Sequence, residues 1–171
     1  MVDDEPKLNS INIVSLTPDQ WEIYRDIRLN GLLEDPQAFG RSYEEEIAFP
    51  QEKWRQRASN SNNFMALENG IPLGTMGAYI SDESGNKVAN IVGVFVSKEE
   101  RGKGIGSKLL DAVLDKIKQN QSIKKIKLSV NKDQTLAVKL YEKFGFKITG
   151  EETQKMGDKK EHIEYLMELA L

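Results

Sequence analysis

The string Arg101-Gly102-Lys103-Gly104-Ile105-Gly106-Ser107-Lys108 limits the fold of this chain more than any other. Upstream, Val88 to Val96 reads as a strand rich in β-branched residues. Downstream, Ile105, Leu109, Leu110, Val113, Leu114 and Ile117 fall on one face of a helix. A strand, a glycine-rich turn and a helix in that order leave successive backbone N–H groups pointing outward. The positive end of the helix dipole reinforces them, so the bend is an anion site suited to a phosphate or pyrophosphate. Gly102, Gly104 and Gly106 let the backbone approach a ligand closely, and Arg101 and Lys103 add charge-assisted contacts.

Two common phosphate loops do not fit. A Walker loop needs G-x-x-x-x-G-K-[ST], but here Ser107 separates Gly106 from Lys108, and Arg101 stands where the first glycine belongs. The dinucleotide fingerprint G-x-G-x-x-G puts its third glycine on Ser107 and expects an acidic residue about 20 positions on, where this chain offers lysines.

Around the loop, periodicity gives an element order. Ile11 to Ser15 reads as a strand after a polar tail, residues 1–10. Thr17-Pro18-Asp19-Gln20 reads as a capped helix start, with Trp21, Tyr24, Ile27, Arg28 and Leu32 at helical spacing and an end near Glu34, before Pro36. Residues 36–49 carry no clear period. A second helix runs from Pro50 to about Ala58. Phe64–Glu68 and Pro72–Ile80 form a hairpin around Asn69-Gly70, and a turn at 82–86 leads into the Val88–Val96 strand. After the loop helix come a strand (Ile123 to Val130), a helix striped by Leu136, Ala137, Leu140, Tyr141 and Phe144 and closed by Gly145, and two strands, 146–154 and 161–169. The class this implies is α/β of the mixed α+β kind: three layers, with a mostly antiparallel mixed sheet of about seven strands between about four helices. A length of 171 residues without linker or repeat suits one domain, 11–171.

The two glycine and tyrosine segments together resemble a known family. Arg101-Gly102-Lys103-Gly104-Ile105-Gly106 is similar to the [RQ]-x-x-G-x-[GA] acyl-CoA loop of the GNAT superfamily of N-acetyltransferases, and Ala137-Val138-Lys139-Leu140-Tyr141-Glu142-Lys143-Phe144-Gly145-Phe146 resembles its A-x-x-L-Y-x-x-x-G-F segment. The resemblance implies acetyl-CoA bound where two central parallel strands, Val88–Val96 and Ile123–Val130, splay apart. Backbone groups of Val94, Phe95 and Val96 would then meet the pantetheine arm and the acetyl carbonyl. Amides of Gly102, Lys103, Gly104, Ile105, Gly106 and Ser107 would hold the pyrophosphate. It also implies direct attack by a deprotonated amine, with Tyr141 as the acid that protonates the departing thiolate. By periodicity alone, Tyr141 is one more apolar residue of its helix.

The chain departs from the family pattern twice. Gln134 stands where many members carry a cofactor-contacting asparagine, so that contact falls to Gln134 or to Asn131. The strand before the loop holds no carboxylate, which leaves the base to water, to a carboxylate elsewhere or to an amine arriving neutral. Arg28, Glu34, Phe39 and Tyr43 belong to segments that line the acceptor site in the family, with salt bridging or core packing the alternative for each. His162, the only histidine, sits near a turn, and one histidine builds no usual metal cage, so no metal is expected.

Composition closes off other classes. A net charge of −3 argues against a nucleic-acid partner. No apolar run approaches the length that crosses a bilayer, and the acidic start Met1-Val2-Asp3-Asp4-Glu5 is unlike a signal peptide. The absence of cysteine fits a cytoplasmic protein. The expected partners are an amine acceptor and, from exposed strand edges and the family's habits, a second copy in a homodimer. The competing readings are an acyl-CoA-binding regulatory module that has lost catalysis and an ATP-binding protein.

Overall fold

The computed structural model describes residues 11–171; the expected tail, 1–10, lies outside the described residues. Seven strands form one sheet in the order β1-β2-β3-β4-β5-β7-β6. They are β1 (Asn12–Ser15), β2 (Phe64–Glu68), β3 (Ile71–Glu83), β4 (Asn86–Val96), β5 (Ile123–Asn131), β6 (Lys147–Lys155) and β7 (Glu161–Ala170). Only β4 and β5 run parallel; every other neighbour pair is antiparallel. The helices are α1 (Trp21–Glu34), α2 (Tyr43–Ile47), α3 (Gln51–Ala58), α4 (Ile105–Lys118) and α5 (Thr135–Lys143). The sequence pattern held no sign of α2, because five residues are too few to display a period; it is the helix beyond the four expected.

The turns follow from residue chemistry. Asn69 and Gly70 take φ of 51° and 78°, and Ser84 and Gly85 take 53° and 85°. Both pairs have the left-handed geometry whose twist matches that of the strands they join. The Thr17 N–H donates to the Gln20 side chain at 3.1 Å, but the first turn, Pro18–Gln20, is a 3₁₀ turn leading into α1. Gly145, at φ 97°, closes α5.

The sheet is covered on both faces. On one, Leu109, Leu110 and Val113 of α4 and Val138 and Tyr141 of α5 pack on Met76, Ile91, Ile126 and Met167. On the other, Ile27 and Leu32 of α1 and Trp54 of α3 pack on Met65 and Phe95. Neighbouring Met65 and Ala66 enter opposite cores, as strand alternation requires. Each large side chain buried this way contributes about 1.5–3 kcal/mol. Among the described residues no helix is long and apolar enough to cross a membrane.

The feature that positions the site is a break in the parallel pair. β4 and β5 are bonded from Lys87↔Ile123 to Asn90↔Lys127 and no further. Beyond that point β4 stays with β3 as far as Gly74↔Val96, and β5 stays with β7 as far as Asn131↔Glu164. A gap therefore opens between the two strands.

Candidate active site

The gap is the floor of a cleft of about 530 Å³. Its sides come from Ile91–Val94 of β4, Leu128–Asn131 of β5, Gln134, Ala137 and Tyr141 of α5, and Glu164 and Leu166 of β7. The segment after α1 forms a strap along it. Gly157, in the β6–β7 turn, donates its N–H to Phe39 O at 2.7 Å, and a Cβ added there would stand 2.5 Å from Arg41 O. Asn131 Nδ2 donates to Gln37 O at 3.4 Å. The period-free stretch 36–49 thus crosses from α1 to the β6–β7 hairpin, with Phe39, Gly40 and Arg41 lining the cleft.

At the end of β4, two residues of that strand, Gly93 and Val94, face one of β3, Met76. Gly93 takes φ 64°, and Thr75 Oγ1 donates to its carbonyl at 3.0 Å. Such a bulge bends the strand and re-aims its backbone groups, here beside the gap.

The glycine loop lies just beyond. Gly102 and Gly104 take φ of 81° and 82°, and Gly104 is the N-cap of α4. Among the described residues, no N–H from Gly102 to Ser107 donates to a protein acceptor; the first to do so is that of Lys108, bonded to Gly104 O at 3.1 Å. A Cβ built on Gly102 or Gly104 would meet nothing within 4 Å. This row of free amides at a helix N-terminus, open to solvent, is a cradle of the right chemistry for a diphosphate. Gly106 serves packing instead, since a Cβ there would come 3.2 Å from Leu140 Cδ2; its bareness lets α4 approach α5 closely.

The two basic side chains of the loop are engaged within the protein. Arg101 Nε donates to Val96 O at 2.8 Å, and its Nη2 pairs with the carboxylate of Asp35. Lys103 Nζ pairs with Glu100 at 2.8 Å. The backbone amides, rather than these charges, are what the loop leaves open. Asn131 is engaged too, because besides its bond to Gln37 its Oδ1 accepts the Asp133 N–H at 3.0 Å. Gln134 lines the cleft and its side chain makes no hydrogen bond as the N-cap of α5.

Tyr141 is 3% exposed, lines the cleft, and stacks edge-to-face on Phe146 with ring centroids 5.9 Å apart. Burial pushes its hydroxyl well above the ordinary phenol value, so it keeps its proton at neutral pH. Arg28 and Phe39 also reach the cleft, the Arg28 guanidinium lying 4.6 Å above the Phe39 ring. Glu34 and Tyr43 are not among the lining residues; Glu34 accepts from Asn30 Nδ2 at 3.4 Å, and Tyr43 packs against the core beneath α1. His162 pairs with Asp158 at 2.7 Å inside the β6–β7 hairpin.

Two further acidic residues matter here, one from the run Glu44–Glu46, any of which the sequence offers as an ammonium site or base, and one that the sequence did not single out. Glu46, on α2, is completely buried and accepts Arg28 Nε and Nη2 at 3.0 Å each and Arg57 Nη1 at 3.1 Å. Burial pushes its carboxyl up, but the two guanidiniums outweigh burial and hold it below the usual range. Glu164, in the middle of β7, is 5% exposed and lines the cleft, and its Oε2 is buried without a partner. Burial, and then the nearby Glu152 charge, raise its carboxyl, with His162 opposing. In sequence, Glu164 looks like an ordinary solvent-facing residue of an alternating strand; in the fold it is paired with Asn131 of β5 and lines the cleft.

The profile of the Acetyltransferase (GNAT) family matches residues 20–146. Over 57 residues the chain is 37% identical to a probable spermine N(1)-acetyltransferase of Bacillus subtilis subsp. natto and 35% identical to a spermine/spermidine N(1)-acetyltransferase of Bacillus subtilis. Each match covers 33% of this chain and 38% of the relative. Among solved structures, an acetyltransferase of the GNAT family from Streptococcus pneumoniae superposes with a TM-score of 0.81 at 20% identity, over 95% of this chain and 100% of that one. A putative acetyltransferase from Salmonella typhimurium, solved with its cofactor acetyl-CoA, gives 0.78 at 16% identity, over 95% and 94%. These two share the fold; the profile, spanning the glycine loop and the tyrosine helix, carries the kinship, and the chain belongs to the GNAT acetyltransferase family.

Proposed function

We propose that this chain, as one catalytic domain over residues 11–171, binds acetyl-CoA and transfers its acetyl group to a primary amine by direct attack in a ternary complex. The observation that carries the reading is the row of unpaired amides from Gly102 to Ser107, opening beside a strand gap that Tyr141 lines. Those amides suit the diphosphate, and the β4 edge beyond Asn90, which has no β5 partner, suits the extended pantetheine arm, by backbone pairing like an added strand. Gln134, rather than Asn131, has a side chain free to reach it. Bound there, acetyl-CoA supplies a thioester whose carbonyl carbon forms the new C–N bond as its C–S bond breaks.

The protein's own groups do the rest. The re-aimed backbone at Gly93 and Val94 offers an N–H to the negative charge that develops on the carbonyl oxygen. Tyr141, protonated at neutral pH, donates its proton to the departing sulfur. Glu164, raised and unpartnered, takes the proton that the ammonium must lose before its nitrogen can attack. The protons balance: the ammonium gives one to Glu164 before attack, which Glu164 returns to solvent, and the nitrogen gives a second as the new C–N bond becomes an amide, which replaces through solvent the one Tyr141 passes to the thiolate.

Calorimetric titration with acetyl-CoA and with ATP tests the first half, and thiol release with a panel of amines tests the second. Binding of ATP in preference to acetyl-CoA, or no heat with either from folded protein, refutes the reading.

A further inference from the structure

The cleft divides by charge. On the α1–α3 side, two part-buried guanidiniums, Arg28 and Arg57, share the single carboxylate of buried Glu46, which leaves that cluster one positive charge in excess. Arg28 spends Nε and Nη2 on the pair, while its Nη1 turns to the β4 bulge, 3.7 Å from where a Cβ on Gly93 would stand. Arg28 and Arg57 line both the main cleft and an adjoining cavity of about 230 Å³. Across the strand gap, on β7, stands Glu164 with its unpartnered oxygen. In this cleft a buried carboxylate oxygen lacks a partner, and a part-buried guanidinium pair has one carboxylate for two positive charges.

We infer that the amine acceptor carries its own negative charge close to the amine: a zwitterion of the α-amino acid kind, with its carboxylate on the Arg28–Arg57 pair and its ammonium toward Glu164. This rests on the acetyl-transfer reading above. One such ligand supplies both missing counter-charges, and its carboxylate meets the planar guanidinium donors that suit it. It also puts the nitrogen between Glu164 and the bulge at Gly93, where the thioester must be attacked. A polycation fares worse. Four cationic side chains line the cleft, Arg28, Arg41, Arg57 and Lys127, against the carboxylates of Glu164 and Glu168, and Glu168 already faces Lys127 at 3.8 Å. The relatives whose names include spermine match only 33% of this chain, which leaves room for a different acceptor.

The test is thiol release from acetyl-CoA with several α-amino acids, each beside its carboxamide and its decarboxylated amine, and with spermidine. The expected result is a kcat/KM for the best amino acid at least about tenfold above that of its carboxamide and above that of spermidine. Arg57→Gln leaves the Arg28–Glu46 pair intact and neutral, so it should lower kcat/KM for the amino acid about tenfold more than for the carboxamide, and Arg57→Lys should recover part of that difference. Circular dichroism and thermal melting verify that both variants fold. Equal or better turnover of carboxamides or spermidine, or a ratio unmoved in Arg57→Gln, overturns the inference while acetyl transfer stands. Acetyl-CoA binding without turnover of any member also overturns it and leaves the cofactor site standing; failure to bind acetyl-CoA overturns both.

Discussion

Substitution at Gly104 separates what the loop's backbone does from what its charge does. Gly104 has φ 82°, and a Cβ there would meet nothing within 4 Å. Gly104→Ala therefore costs only the strain of a left-handed alanine, about 1 kcal/mol, which lowers Tm by about 2–4 °C in a chain of this size. The N–H groups stay in place, so acetyl-CoA should bind within a few-fold of wild type. Gly104→Glu carries the same strain and adds a carboxylate beside the diphosphate. Two unit charges about 5 Å apart, at the effective dielectric of about 20 that suits a partly exposed site, repel by about 3 kcal/mol. That is a loss of about 100-fold or more in affinity. Calorimetry measures it, and the gap between the two variants should shrink at high salt, because the site is open to solvent. If Gly104→Glu binds within threefold of Gly104→Ala, no phosphate sits on these amides and the assignment of the loop fails.

Three other outcomes follow from the same geometry. Tyr141→Phe keeps the ring on Phe146 but removes the proton donor, so kcat should fall about 100-fold with little change in acetyl-CoA affinity; unchanged kcat returns Tyr141 to core packing. Glu164→Gln should lower kcat/KM at neutral pH about 100-fold and abolish the acid limb of its pH profile. In the wild type that limb should lie above the ordinary glutamate value of about 4.3, because burial and Glu152 raise the carboxyl; an unchanged limb in the variant removes Glu164 as base. Glu46 works in the opposite sense. Its folded value is depressed, so its contribution to stability is present above the unfolded value and is lost as pH falls through the folded one. Glu46→Gln strands two guanidiniums and should cost about 3–5 kcal/mol at pH 7 by urea unfolding, with the deficit narrowing as acid protonates the wild-type carboxylate; a deficit independent of pH refutes the pairing.

What the sequence displayed was local. The hairpin at Asn69-Gly70, the stripe of α4, the helix end at Gly145 and the glycine loop each depend on residues a few positions apart, so their chemistry is readable without the fold. The cofactor side of the cleft is built almost wholly from such segments. The acceptor side is not. Glu164 lines the same cleft as the strap that Gly157 and Asn131 hold, through contacts across 118 and 94 positions of chain. Arg28 was visible as a charged residue on a helix, but its partner Glu46 belongs to a five-residue helix with no period, inside a run of three glutamates of which only Glu46 is buried. Arg101 shows the converse. Its motif points to a ligand contact, which a few neighbouring residues suffice to suggest, whereas its partners within the fold, Asp35 at the end of α1 and Val96 O, could not be read from the motif.

The gap itself comes from two strands held to different partners. β5 keeps an unbroken register with β7 from Lys125↔Ala170 to Asn131↔Glu164, so its direction is fixed by the C-terminal hairpin. β4 follows β3, and at Met76 it must accommodate an extra residue, with Gly93 in the left-handed conformation that favours glycine and Thr75 gripping its carbonyl. The bulge increases the local twist of β4 and turns it from β5, although the last β4–β5 pair, Asn90↔Lys127, precedes it by only three residues. Phe95 then anchors the diverging strand, because a Cβ on Gly31 of α1 would stand 2.9 Å from its ring; helix and strand are packed too closely for β4 to swing back. The separation of β4 from β5 is thus built into the packing of α1 and the bulge, and does not need a ligand to wedge it open. A site assembled this way meets its cofactor preorganised, and spends little binding energy on opening.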